Sequence, residues 1–144
     1  MENTPHKTAI SRKSPSVPMR YIAKLNLLSG RTLDFGCGKG FDAKYFKMEA
    51  YDPYFKPEKP TGKFDTITCN YVLNVVDKEK EKEILSQIKS LLSDQGIAYI
   101  TVRRDIKKEG FTSKGTYQRN VILDLPILKE TSTYCIYVTH PVKK

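Results

Sequence analysis

Leu33-Asp34-Phe35-Gly36-Cys37-Gly38-Lys39-Gly40 sets an acidic residue and three alternating glycines where an apolar strand gives way to a helix. Glycine takes positive φ freely and has no Cβ, so Gly36, Gly38 and Gly40 allow a tight turn and let a ligand lie directly against the backbone. Asp34, at the carboxyl end of the strand, is placed to accept hydrogen bonds from an amine or hydroxyl. A dinucleotide-binding turn requires G-x-G-x-x-G, and here Phe41 stands in the place of the third glycine.

The residues around the turn extend it into a repeating pattern. Arg31–Phe35 reads as a first strand, Phe41–Lys47 as a short helix, and Met48–Tyr51 as a second strand ending at Asp52. Pro53–Lys63 carries three prolines and is excluded from regular helix. Phe64–Cys69 alternates as a third strand. Asp77 reads as an N-cap, after which Ile84, Leu85, Ile88, Leu91 and Leu92 recur at helical spacing until Asp94-Gln95-Gly96 is expected to turn the chain. Ile97–Val102 is β-branched and apolar without strict alternation, which suits a strand buried on both faces. Strand and helix alternating in this way predict a parallel α/β sheet. Leu125–Lys129 and Thr133–Thr139 read as a closing antiparallel hairpin.

Upstream, Met1–Pro18 combines three prolines with basic and hydroxyl residues and is expected to form an extended arm. Met19–Ser29 places Ile22, Leu25 and Leu28 on one helical face, with Gly30 as its stop, and would brace or cover the sheet. The division that follows is residues 1–30 as a basic arm and helix and residues 31–144 as the main domain.

At 144 residues the chain fits one domain. No apolar run approaches the roughly 18 residues of a membrane span, and the polar N-terminus does not read as a signal peptide, which places the expected location in the cytoplasm. Cys37, Cys69 and Cys135 are widely spaced with only His6 and His140 to assist them, so neither a metal site nor a disulfide framework is expected. The formal net charge of +9 is unevenly spread. Lys7, Arg12, Lys13, Arg20, Lys24 and Arg31 form one basic region, and Arg103, Arg104, Lys107, Lys108, Lys114 and Arg119 another. This asymmetry suits a polyanionic partner, most simply nucleic acid; a lysine-solvated surface accounts for it equally.

The pattern Asp34-x-Gly36-x-Gly38-x-Gly40, followed by Asp52 at the end of the second strand and Asn70-Tyr71 at the end of the third, resembles the class I S-adenosylmethionine-dependent methyltransferases. The resemblance implies a Rossmann-like fold and S-adenosyl-L-methionine as cofactor. It implies that Asp34, Gly36, Cys37, Gly38, Gly40, Asp52, Pro53, Tyr54 and Asn70 hold that cofactor, with Asp52 accepting from the ribose hydroxyls. Asn70 and Tyr71 stand where family members orient the methyl acceptor. Val72 departs from the Asp/Asn-Pro-Pro-aromatic sequence of nucleic-acid amino-methyltransferases, so that chemistry gains no specific support. Cys69 is not preceded by proline, which argues against a cysteine nucleophile of the cytosine-methylating kind.

Thr8-Ala9-Ile10-Ser11-Arg12, Tyr51-Asp52-Pro53-Tyr54-Phe55-Lys56-Pro57, Asn70-Tyr71-Val72-Leu73-Asn74-Val75-Val76 and Gly115-Thr116-Tyr117-Gln118 are similar to a small group of bacterial methyltransferases that includes one associated with DNA phosphorothioation. Only about a dozen residues separate Asp52 from Phe64, too few for the helix, strand and helix of the usual fold, so its third strand is expected to be missing. The adenine must then be covered by other residues, of which Pro53, Tyr54 and Phe55 are the nearest. The arm and the stretch Arg103–Arg119 are expected to build the acceptor pocket, with Arg12, Arg103, Arg104 or Gln118 contacting an anionic or hydrogen-bonding substrate. A non-catalytic nucleic-acid module that keeps the cofactor pocket and an enzyme acting on a small metabolite remain open. The acceptor atom and the oligomeric state are not written in the sequence.

Overall fold

The chain is seen here as a computed structural model that describes residues 3–141, so the first two residues of the expected arm and the last three of the main domain lie outside the described residues. Strands β1 (Thr32–Phe35), β2 (Glu49–Tyr51), β3 (Phe64–Asn70) and β4 (Leu92–Arg103) run parallel to one another, with β7 (Ile127–Glu130) and β8 (Tyr134–Thr139) continuing the sheet as an antiparallel hairpin. The order across the sheet is β2-β1-β3-β4-β8-β7. The chain leaves β1 toward β2 on one side and returns to β3 on the other. Such a reversal opens a crevice outside the carboxyl ends of β1 and β3, where ligands of open α/β sheets collect. β2 is one edge, β7 the other, and between β2 and β3 the chain forms no strand, only a loop that starts with a turn closed by the Asp52–Lys56 bridge. The expected loss of the usual third strand is therefore seen.

Side chains alternate across each strand, so the two faces form separate cores. On one face, Leu33 and Phe35 of β1, Ile67 and Cys69 of β3, and Ala98, Ile100 and Val102 of β4 pack with Ile84 and Ile88 of helix α3 (Lys78–Leu91). On the other, Tyr99 of β4 and Tyr134 and Ile136 of β8 pack with Met19 and Ile22 of helix α1 (Val17–Lys24) and Ala43 of helix α2 (Phe41–Tyr45). Asp77 caps α3 as expected, its carboxylate accepting from Lys80 N at 2.8 Å. No helix among the described residues is long and apolar enough to cross a membrane.

The structure departs from sequence expectation at four places. Helix α1 stops at Lys24 instead of continuing to Ser29, because Asn26 takes a left-handed φ of 58°, a conformation asparagine tolerates better than most residues. Leu25, expected on its buried face, is consequently exposed. Asp94-Gln95-Gly96 does not turn the chain but forms an irregularity within β4, where pairing shifts from Phe64–Leu92 to Thr66–Ile97. The arm is not extended throughout, since Pro5–Thr8 forms a 3-10 turn. Finally, the polar stretch after β4 contains a short hairpin, β5 (Gly110–Phe111) and β6 (Tyr117–Gln118).

Candidate functional site: a cofactor-sized cavity beneath the arm

The glycine turn forms one wall of the crevice. Gly36, Gly38 and Gly40 take φ of 79°, 58° and 87°, and the Gly36 and Cys37 amides both donate to Tyr51 O, so the turn folds over the end of β2. At Gly36 the absence of a side chain is obligatory, because a Cβ would stand 2.4 Å from Val72 Cγ2. Cys37 lines the cavity, but burial, reinforced by Asp34 and Asp52, pushes its thiol up to about 12. It remains a thiol at neutral pH and is no nucleophile.

Asp52 joins the turn to the loop after β2. One carboxylate oxygen accepts from Gly38 N at 2.9 Å, and the other from Tyr54 N at 2.9 Å and Phe55 N at 3.1 Å. An ionised carboxylate has about four acceptor positions, so three are used internally and one is left for a ligand hydroxyl.

The opposite wall comes from the end of β3. Asn70 lines the cavity with both ends of its amide buried and, among the described residues, without a hydrogen-bond partner, and Thr101 Oγ1 beside it in β4 is likewise unpartnered. Buried polar atoms are rarely left in this state, and such exceptions mark places where something else completes the bonding. Tyr71, the next residue, holds a left-handed φ of 63°, a strained conformation for a tyrosine, and its amide donates to Thr101 O at 2.8 Å. Burial raises the Tyr71 phenol above its ordinary value, while the positive charges of Arg12 and Arg103 pull against that rise. At neutral pH it is a neutral hydrogen-bond donor.

The arm crosses the crevice and is tied to the glycine turn, to the loop after β2 and to Val75. Asn3 donates to Val75 O at 3.0 Å, His6 stacks on Tyr54 with ring centroids 3.9 Å apart, and Lys39 Nζ donates to Ser11 Oγ at 2.9 Å. Ser16, at the start of α1, donates from its amide and hydroxyl to the two oxygens of Asp42 in α2. The cavity so enclosed has a volume of about 500 Å3. That lies within the range of roughly 300–1,000 Å3 usual for small-molecule sites.

Of the residues singled out in the sequence, the cavity brings together Gly36, Cys37, Gly38, Gly40, Asp52, Pro53, Tyr54, Asn70, Tyr71 and Arg12. Asp34 is not among its lining residues. It lies buried beneath the turn, accepting from the Thr68 hydroxyl at 2.9 Å, and burial pushes its carboxyl up to about 7. Arg103, Arg104 and Gln118 are also outside the lining. Arg103 pairs with Asp105, Arg104 binds Glu130, Val121 O and the Tyr137 hydroxyl, and Gln118 donates to Lys108 O. The lining contributed by His6, by Val75 and Val76, and by Lys80, Ile84 and Gln87 of α3 had no role assigned from the sequence. The similarity of Thr8–Arg12 to the bacterial group and the basic charge of the arm were the signals that pointed at it.

Residues 11–135 match the family described as methyltransferase domain, and the chain belongs to that family. Solved structures of similar fold include DhpI in complex with SAH, at 10% identity and TM-score 0.59, covering 89% of each chain. Another is the Burkholderia thailandensis 1,6-didemethyltoxoflavin-N1-methyltransferase with bound 1,6-didemethyltoxoflavin and S-adenosylhomocysteine, at 17% identity and TM-score 0.60, covering 88% of this chain and 78% of that one. The magnesium protoporphyrin IX methyltransferase ChlM of Synechocystis PCC 6803 with bound SAH aligns at 15% identity and TM-score 0.51, over 84% and 78% of the two chains. Comparison with curated proteins by sequence returns no match.

Proposed function

We propose that this methyltransferase uses S-adenosyl-L-methionine and delivers its methyl group to an anionic acceptor, nucleic acid first among them. The observation that carries the reading is the Asn70 amide, buried and unpartnered at the rim of a cavity whose other wall is the glycine turn. The residues present fit the cofactor. Gly36 is a place where a side chain would collide, Asp52 keeps one acceptor position, and the apolar faces of Pro53 and Tyr54 stand beside it. Gly36, Gly38, Asp52, Pro53 and Tyr54 would hold the group. When bound it supplies a methyl carbon on a cationic sulfur whose departure leaves a neutral thioether. Positioning and exclusion of water therefore count for more than a strong base. Asn70, offering a donor and an acceptor, and the neutral phenol of Tyr71 would orient the acceptor, with Arg12 of the arm as a cation near Tyr71.

Three of the four stretches similar to the phosphorothioation-associated group supply cavity residues: Thr8, Ala9, Ile10 and Arg12; Tyr51 through Tyr54; and Asn70 through Val72 with Val75 and Val76. This concentration supports placing the chain beside that group and favours DNA as the anionic partner. A second reading, a small anionic metabolite as acceptor, is favoured by the arm itself, because a strap across the crevice restricts the approach of a polymer. The neighbours named for 1,6-didemethyltoxoflavin and magnesium protoporphyrin IX act on small molecules by their names.

The test is transfer of label from S-adenosylmethionine into separate DNA, RNA and small-metabolite pools by the unchanged chain and by Asn70→Ala. Label in a nucleic-acid pool that drops at least about tenfold in the variant supports the first reading, and label confined to metabolites supports the second. Asn70→Ala should not lower stability, since the amide it deletes has no partner to lose, and can raise it by about 1 kcal/mol. Full activity in the variant would remove Asn70 from the mechanism.

A further inference from the structure

The missing strand leaves a specific question: what faces the base of the cofactor. The answer rests on the cofactor reading above and comes from the far end of the chain. The loop after β2 is fixed by the Asp52 carboxylate, which receives both the Tyr54 and the Phe55 amides, so the Tyr54 ring is held in place next to the acceptor position left for a ribose hydroxyl. His6 lies parallel to that ring, at 3.9 Å and 10° between planes. Tyr54 is nevertheless 61% exposed, so its ring keeps surface on which a further flat group can stack. Both residues line the cavity. The arm that carries His6 is held at three points, through Asn3 to Val75, Ala9 against Gly38 and Ser11 to Lys39. A Cβ on Gly38 would come within 3.3 Å of Ala9, so the arm lies directly on the glycine turn.

We propose that the arm segment Asn3–Ala9, through the His6–Tyr54 pair, is the purine-holding wall of this site and takes the place of the absent strand and its loop. An adenine has two flat faces and stacks on aromatic rings without needing a charged partner. This assigns the His6 segment of the arm to the cofactor and leaves Arg12, farther along it, on the acceptor side.

The proposal is tested by calorimetric titration of the whole chain with S-adenosylhomocysteine and with 5′-methylthioadenosine, which keeps the adenosine and lacks the amino-acid end. His6→Ala and Tyr54→Ala should weaken both ligands by a similar factor, at least about fivefold, whereas His6→Phe, which preserves a stacking ring, should stay within about twofold of the parent. Unchanged affinity in His6→Ala overturns the proposal, as does His6→Phe binding no better than His6→Ala. Weakening of S-adenosylhomocysteine alone, with methylthioadenosine unaffected, overturns it too. If the unchanged chain binds neither ligand, the cofactor reading itself fails, a result distinct from any pattern among the variants. His6 makes no hydrogen bond to the sheet and sits outside both cores, so thermal unfolding of His6→Ala should match the parent; should Tyr54→Ala unfold, the His6 variants decide.

Discussion

Asp34 sits on the face of β1 that looks toward α1 and α2, paired in register with Thr68, whose hydroxyl is its one side-chain donor. Removal from water pushes its carboxyl up to about 7, with the nearby charges of Asp42 and Asp52 adding to the rise after the Thr68 bond has partly opposed it. In the unfolded chain an aspartate releases its proton near pH 4. Between about pH 4 and about pH 7 the folded state therefore holds more protons at this group than the unfolded state, and stability falls as pH rises through that window. The loss is on the order of a few kcal/mol, complete above about pH 7. Asp34→Asn keeps an acceptor for Thr68 and removes the titration. The thermal midpoint of the parent should thus fall relative to the variant as pH rises from about 4 to about 7, the variant becoming the more stable protein at neutral pH. A difference that does not change with pH would exclude the assignment. A carboxyl kept at such a cost directly beneath a ligand-binding turn is what a site retained for function looks like.

Among the elements, α3 and the strands of the main sheet, apart from the first residues of β4, were legible because their signals are local. Alternation in Phe64–Cys69, the i, i+4 series Ile84–Ile88, and the Asp77 cap each need only a few neighbouring residues. What escaped was set by contacts distant in sequence. Nothing near Arg104 distinguishes it from Arg103, yet Arg104 is drawn in by the Tyr137 hydroxyl and Val121 O while Arg103 pairs locally with Asp105. The lid-like position of the arm depends on Tyr54, Lys39 and Asp42 presenting partners that only the folded sheet brings near. Arg119 shows the energetic weight of such a contact. It is 7% exposed, donates to Val76 O and to the Glu81 carboxylate, and its own amide donates to Asn74 O, which fixes the β5–β6 hairpin to the 3-10 turn Leu73–Val75 and the start of α3. Arg119→Met would leave Glu81 and a buried carbonyl without their donor, at a cost of about 3 kcal/mol. Arg119→Lys should recover little, because one ammonium cannot reproduce the guanidinium fork. Chemical denaturation measures both; a cost below about 0.5 kcal/mol would mean the hairpin is not fastened this way.

For the whole molecule, the charge of +9 can be divided by what the cations do. Arg31, Arg103, Arg104 and Arg119 are engaged with Glu49, Asp105, Glu130 and Glu81, so much of the arginine in the two basic regions serves the fold. Among the described residues Lys107 and Lys108, just before β5, and Lys114, in the turn between β5 and β6, form no ion pair. The hairpin that bears Lys114 and follows Lys107 and Lys108 is fastened to the 3-10 turn whose Val75 lines the cavity, which puts this positive charge next to the site. A nucleic-acid acceptor held there releases counterions as it binds, and the logarithm of its binding constant falls against the logarithm of salt with a slope near −0.9 per neutralised phosphate on duplex DNA. Replacing Lys107, Lys108 and Lys114 together by glutamine should then reduce the magnitude of that slope by about 2 to 3, with cofactor affinity unchanged. A small anionic metabolite makes one or two such contacts at most, and its affinity would not respond to these three positions. A binding slope for DNA and RNA that is the same in parent and triple variant would place the acceptor away from the hairpin and leave Arg12, inside the cavity, as the cation that receives it.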